Sequence, residues 1–423
     1  MGANDQGFQI ESEQVAGFAS DHALAYVPNA MGFGHVPCGT HALDLSLEDN
    51  YLTCIKEEVD KFVKIRQYLT ATTSVGQEYT RCQEKHCDTI KSFPINSMVR
   101  FVTHEDAFNH IKIFWRACNE TLESNGQGSL ILKESEVQTS EGCSMIFEMV
   151  RHAMKELQGS MCCKYLPILY GLILKLEKLK SNHPNLFVAA TGQELFRVGV
   201  MASISKRVGG EGEDKQLTLA TRKCLVKAML MEPYLKCKID VKTGGLELSK
   251  VFPRWIRSRF NEECKKELVK ECEHLIQQSI VGTGTVEDGD SSSDEEPKKK
   301  KKKKNEHAES MLEFLEDEGD MTRDSEKKKV NDELEWFKKK YLESDIGVNS
   351  IEASEIYWQD RRKKYPNVIK LLCKYRSIAC TSIFEEECFS QIKKIVTEDR
   401  ESLKDTTIEG MMFFKKNYLH FPQ

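Results

Sequence analysis

Cys38-Gly39-Thr40-His41 sets a thiol and an imidazole three residues apart at an expected strand-to-helix junction. Those ligand types make half a zinc site. The other clusters, Cys82/His86/Cys87 and Cys264/Cys272/His274, lack the usual ligand intervals. A buried cysteine beside a hydrogen-bonded histidine is the preferred reading of the first motif, and no metal or cofactor is expected. Asp21 closes the short apolar run that begins at Val15. A carboxylate at a strand end suits a two-metal phosphodiester centre, but that chemistry needs several carboxylates together. Taken alone, Asp21 reads as a cap or a surface residue. The run Lys298, Lys299, Lys300, Lys301, Lys302, Lys303 and Lys304 follows Ser291-Ser292-Ser293-Asp294-Glu295-Glu296. Such a run reads as a nuclear import signal, as salt-sensitive phosphate contacts or as a solvated spacer. Phosphorylation of the serines would add negative charge beside the lysines and weaken either active role.

The elements that position these residues follow from composition and period. A chain of 423 residues with 40% apolar content is long enough to bury a core in two or three domains. The balance of 61 Lys+Arg against 66 Asp+Glu gives a net charge of −5, so any nucleic-acid contact must rest on local patches. Fifteen scattered cysteines, an odd number, read as reduced intracellular thiols rather than a disulfide framework. The polar, acidic N-terminus reads as neither a secretory nor a transit peptide. The most apolar run, Leu166 to Leu174, falls well short of the roughly 20 residues that span a bilayer.

Residues 281–330 combine Gly, Ser, acidic blocks and the lysine run, a composition that buries little and reads as a disordered linker with room for a short helix near Met311 to Leu315. Val15–Asp21 and His35–Cys38 read as short strands. From Leu45 the period changes, and Leu52, Ile55, Val59, Phe62 and Val63 form one helical stripe. Further helices are expected near 104–122, 143–157, 161–181, 215–231 and 253–280, their apolar faces serving as core. A basic helical face at Arg254, Arg257, Arg259, Lys265 and Lys266 offers either DNA contact or a solvated surface.

The most specific pattern lies beyond the linker. Tyr357-Trp358, Tyr365-Pro366, Leu371-Leu372, Ile378-Ala379, Thr381-Ser382, Glu386, Phe389-Ser390, Arg400, Leu403 and Asn417 resemble, in order and spacing, the C-terminal dimerisation region of hAT-family transposases. The body carries degraded counterparts. Ser20-Asp21 resembles the family's Asp-Asn strand, and Cys38–Leu45 its Cys-x-x-His-x-Leu-Asn-Leu motif. Val99-Arg100-Phe101 stands for Thr-Arg-Trp, and Met231-Glu232-Pro233-Tyr234 for Leu-Asp-Pro-Arg.

This resemblance implies a mixed α/β, predominantly helical chain. It would hold a partial RNase H-like segment at 1–103, a helical insertion at 104–280, the linker at 281–330 and a dimerisation module at 331–423. It also implies that Asp21 and Glu386 correspond to two members of an Asp, Asp, Glu metal-binding triad. The first Asp would lie on a strand several tens of residues before Asp21, where this chain does not reach. Glu385-Glu386-Glu387 replaces a Ser-Glu-Arg turn, so like charges crowd together and titrate as a coupled group. No BED-type zinc finger is read. The expectation is therefore a catalytically inactive, domesticated relative in the nucleus. It would pair with a second copy through Trp358, Tyr365, Pro366, Phe389, Ile395, Met412 and Phe413, engage nuclear partners and touch DNA mostly without sequence preference, with no membrane role. A residual metal-dependent DNA-processing enzyme and a direct DNA-binding protein are the alternative readings.

Overall fold

A computed structural model describes residues 17–20, 34–94, 104–208, 217–239, 256, 259–282, 328–344 and 346–382. Two short strands, β1 (Gly17–Ser20) and β2 (Gly34–Pro37), pair in parallel with Gly17 opposite Gly34 and Ser20 opposite Pro37. The remaining elements are helical: α1 (Gly39–Cys54), α2 (Lys56–Leu69), α3 (Thr73–His86), α4 (His104–Ser124), α5 (Glu134–Gln158), α6 (Tyr165–Asn182), α7 (Gly192–Arg207), α8 (Leu219–Met231), α9 (Pro233–Ile239), α10 (Arg259–Gly282), α11 (328–342), α12 (Ile351–Gln359) and α13 (Pro366–Arg376). The second half of α11, Trp336–Leu342, is wound as a π-helix. Among the described residues, no helix is long and apolar enough to cross a membrane.

Two compact units emerge, one from Met1–Leu225 with Ser377–Gln423 and the other from Val226–Arg376. In the first, four rings form a ladder through the core. Phe62 meets Phe108 edge-on at 5.4 Å, Phe108 stacks on Phe147 at 5.4 Å, and Phe147 meets Phe196 at 5.4 Å. All four are at most 1% exposed, so α2, α4, α5 and α7 each contribute one aromatic to a shared interior. The stripe expected to make one helix is divided between two. Ile55 (φ −139°, ψ 10°) interrupts the helix, is itself fully buried, and hands the stripe on to Val59, Phe62, Ile65 and Leu69 of α2. Helices α1 and α7 run close enough that a Cβ on Gly199 would meet the Asn50 side chain, which would have to turn away to admit it. Local chemistry sets other boundaries. Thr72 Oγ1 accepts the Val75 N–H at the start of α3, and Ser350 Oγ accepts the Ala353 N–H at the start of α12.

Buried polar groups in this unit are joined in chains. The Cys118 thiol donates to Tyr79 Oη at 3.5 Å, and Tyr79 Oη lies 2.6 Å from His110 Nε2. His110 is also flanked by Phe93 and Phe114. Burial, with Lys91 adding to it, lowers its pKa from 6.5 to about 4. A histidine with a depressed folded pKa stays neutral in the native state while the unfolded chain takes up a proton. Its contribution is therefore intact above pH 6.5 and is lost as pH falls toward 4. The expected cost across that window is about 3 kcal/mol at most. Chemical denaturation at pH 7, 5.5 and 4 checks this, and a His110→Phe chain should show a flatter dependence.

In the second unit, α10 packs on α13 and α11, and α9 packs on α12. Aromatic rings gather between them. Trp336 stacks on Tyr365 at 3.8 Å, Tyr341 lies 4.9 Å from Trp358, and Phe337 stacks on Tyr341 at 5.7 Å. A charged network ties α8, α10 and α13 together. Lys227 Nζ reaches Glu267 at 2.6 Å and Glu271 at 2.8 Å, Lys374 reaches Glu271 at 3.1 Å, and the Tyr375 hydroxyl donates to Glu271 at 2.9 Å. Burial pushes the Glu271 carboxyl up, but the two lysines outweigh it and hold it below its usual range.

Candidate functional site

The junction of β2 with α1 gathers segments from distant parts of the chain. The Cys38 N–H donates to the Ser20 carbonyl at 2.7 Å, closing the end of β1 onto the start of α1. The Gly39 N–H donates to the Cys380 carbonyl at 2.9 Å, and the Ser382 N–H donates to Cys38 Sγ at 3.3 Å. Segment 377–382 is itself pinned by a short antiparallel bridge. The Cys162 N–H donates to the Ile378 carbonyl at 2.8 Å, and the Cys380 N–H donates to the Ser160 carbonyl at 3.0 Å. A Cβ on Gly39 would stand 3.2 Å from the Cys380 carbonyl oxygen and 3.1 Å from Tyr165. Glycine at the second position of the Cys-Gly-Thr-His motif therefore permits this close approach.

The Cys38 side chain is 2% exposed and lies 3.1 Å from Thr40 Oγ1. Its thiol thus serves as a hydrogen-bonding hub between α1 and the segment that ends at Ser382. The thiols of Cys162 and Cys380 beside it are buried. Cys162 is held well above the ordinary thiol range by its hydrogen bond to Cys224 and by burial, and Cys380 is raised by burial. Protonated, buried thiols are poor nucleophiles. His41, in contrast, is exposed, and it lines a small recess with Pro37, Tyr165 and Arg207. The Tyr165 hydroxyl is buried without a hydrogen-bond partner among the described residues, while Arg207 pairs with Asp49 at 2.7 Å. Among the described residues, no three His, Cys, Asp or Glu side chains are grouped to hold a metal ion.

Asp21 follows Ser20 directly, and Glu386 follows Ser382 by four positions. Both residues lie outside the described ones, as do Arg100, Phe101, Lys298 to Lys304, Phe389, Ile395, Met412 and Phe413. What the structure brings together is thus Ser20 and the stretch 377–382, which precede Asp21 and Glu386 in the chain. Of the residues read as pairing surface, Trp358 and Tyr365 are interior at 3% and 7% exposure, while Pro366 is exposed at the start of α13. Glu232 of the Met-Glu-Pro-Tyr motif is 2% exposed and pairs with Arg376 at 2.8 Å. On the basic face of α10, Lys265 is largely buried and pairs with Glu262 at 3.0 Å, while Lys266 is exposed. Sequence reasoning missed Glu333 and Arg376, whose roles depend on partners far away in the chain.

The fold and this junction define a predominantly helical protein with a small parallel strand pair and a C-terminal segment that returns to it. Residues 325–418 match the family model of the hAT family C-terminal dimerisation region, which supports a relation to hAT transposases. No curated protein matches the chain.

Proposed function

We propose that this chain is a transposase-related nuclear protein that pairs with a second copy through 331–423 and no longer carries out phosphodiester chemistry. The observation that carries this reading is the match of 325–418 to the dimerisation region. In this reading β1, β2 and α1 are what remains of an RNase H-like core. Lys298 to Lys304 direct the chain to the nucleus, and its work there is in transcription or chromatin through protein partners. Contacts with DNA are mostly sequence-independent, through backbone phosphates.

Pairing should appear in sedimentation equilibrium of the full chain as a concentration-dependent dimer. Met412→Glu with Phe413→Glu should leave a monomer with an unchanged melting curve, because buried charge disfavours an apolar interface. A wild-type chain that stays monomeric at every concentration sinks the reading, and so does a double variant that still dimerises.

One observation favours a second reading, a residual metal-dependent DNA-processing enzyme. The chain just before Asp21 and the chain just before Glu386 are joined at one junction through Cys38. Cleavage of duplex DNA by the full chain with Mg²⁺ or Mn²⁺, abolished by Asp21→Asn or Glu386→Gln, would replace the first reading with this one.

A further inference from the structure

Within the unit Val226–Arg376, a groove of about 610 Å³ lies between the end of α10, the start of α11 and the start of α13. Its apolar lining comes from Ile280, Val330 and Pro366. Lys329, Lys363, Lys364 and Lys370 also line it, and none of these four has an ion-pair partner among the described residues. Two carboxylates are present as well. Asp332 is exposed, but Glu333 is 3% exposed, its Oε1 accepting the Asn367 and Val368 backbone N–H groups of α13 and its Oε2 the Asn367 side-chain amide. The groove therefore presents a net positive rim around an apolar wall, the complement of an acidic segment with apolar anchors.

The chain supplies such a segment between the two ends of the groove. It leaves α10 just after Ile280 and re-enters α11 just before Lys329, both of which line the groove. In between, Glu309–Asp320 reads Glu-Ser-Met-Leu-Glu-Phe-Leu-Glu-Asp-Glu-Gly-Asp, with six acidic residues, no basic one and four large apolar side chains. From Leu315 to Lys328 an extended chain spans up to about 40 Å, so the tether does not limit docking. Tethering also raises the local concentration of the segment to roughly millimolar.

We infer that the groove receives the acidic segment Glu309–Asp320 of its own chain. Met311, Leu312, Phe314 and Leu315 supply the contacts to the apolar wall, and the flanking carboxylates pair with Lys329, Lys363, Lys364 and Lys370. A phosphate backbone would meet the lysines but has nothing to offer Ile280, Val330 and Pro366. This inference is independent of whether the protein pairs with a second copy.

Limited digestion of the full chain by thermolysin, which cuts before Leu312, Phe314 and Leu315, tests it. Lys363→Glu with Lys370→Glu reverses charge at two exposed positions and leaves the fold undisturbed. Cleavage between 309 and 320 should become about fivefold faster in that variant at low salt, the size expected for two surface ion pairs. The difference should shrink near 1 M salt, where screening acts within about 3 Å. Adding Glu316→Lys with Glu318→Lys to the reversed chain should restore protection. Equal cleavage in the wild-type and reversed chains overturns the inference. Protection that grows with protein concentration also overturns it, by giving the groove to the segment of a second copy. A charge reversal that lowers affinity for duplex DNA while cleavage is unchanged overturns it in favour of nucleic acid.

Discussion

Glu232→Ala is expected to destabilise the protein by about 3–5 kcal/mol, the usual consequence of removing one partner from a buried ion pair. Glu232 Oε2 lies 2.8 Å from Arg376 Nη2, with side-chain exposures of 3% and 19%. Alanine would leave the guanidinium in a largely desolvated position with, among the described residues, only the ion pair to Glu355, at 3.0 Å and half exposed. The pair is also incompletely satisfied. Glu232 Oε1 and Arg376 Nε are both buried without hydrogen-bond partners among the described residues, so part of the desolvation cost is not recovered there. A Glu232→Leu with Arg376→Met chain should therefore lie much closer to the wild type than either single variant. Urea unfolding of the four chains gives the coupling energy. A single-variant loss under about 1 kcal/mol would show that Glu355 alone suffices for Arg376. Because Glu232 stands in the motif Met-Glu-Pro-Tyr, the outcome also decides whether that motif acts here as a structural clamp.

The second large effect is expected at Glu333. Helix α13 opens with Pro366 at its first position, where the missing N–H costs nothing. The next two N–H groups, of Asn367 and Val368, need an acceptor that a capping Ser, Thr, Asp or Asn normally provides. The capping position holds Tyr365, whose ring stacks on Trp336 and offers no acceptor to the backbone. Glu333 of α11 takes over this task, accepting from Asn367 N at 2.7 Å, Val368 N at 2.8 Å and Asn367 Nδ2 at 3.0 Å. A carboxylate at a helix N-terminus is further favoured by the helix dipole. Glu333→Ala should cost about 2–4 kcal/mol, since buried donors lose a charged acceptor. Glu333→Gln should cost about half as much, because the amide keeps one acceptor oxygen. Thermal melts give the magnitude, and hydrogen exchange should show faster exchange concentrated in the first turns of α13. Uniformly unchanged exchange in Glu333→Ala would mean that water or another side chain caps this helix.

Much of the helical architecture was legible because an amphipathic helix writes its period into its own sequence. The stretches read as helices near 104–122, 161–181 and 215–231 correspond to α4, α6 and α8 within a few residues. The stretch read near 143–157 is the second half of α5, which begins at Glu134 with Glu136 accepting the Lys133 N–H. Helices α3 and α7 went unread. Their buried faces include Gln83, Gln193, Glu194 and Arg197, polar residues whose partners lie elsewhere, so the apolar stripe is broken. Glu194, for example, is held by Arg197 at 2.7 Å and by Lys180 of α6 at 2.7 Å.

The sequence by itself determined the helical class, the two short strands and the low apolar content of 281–330, because each depends on composition or period within a local window. It also carried the spaced positions by which 325–418 is matched. Only the tertiary structure decided where those positions lead. Cys38 and Ser382 meet although the whole body and the linker separate them, and a thiol accepting a backbone N–H has no signature in sequence. Trp358 and Tyr365 face inward against Trp336 and Tyr341 rather than outward, and Glu333 caps a helix that begins more than thirty residues later. Hydrogen bonds and ring contacts act over a few ångströms, so which distant residues share them is settled only when the chain has folded.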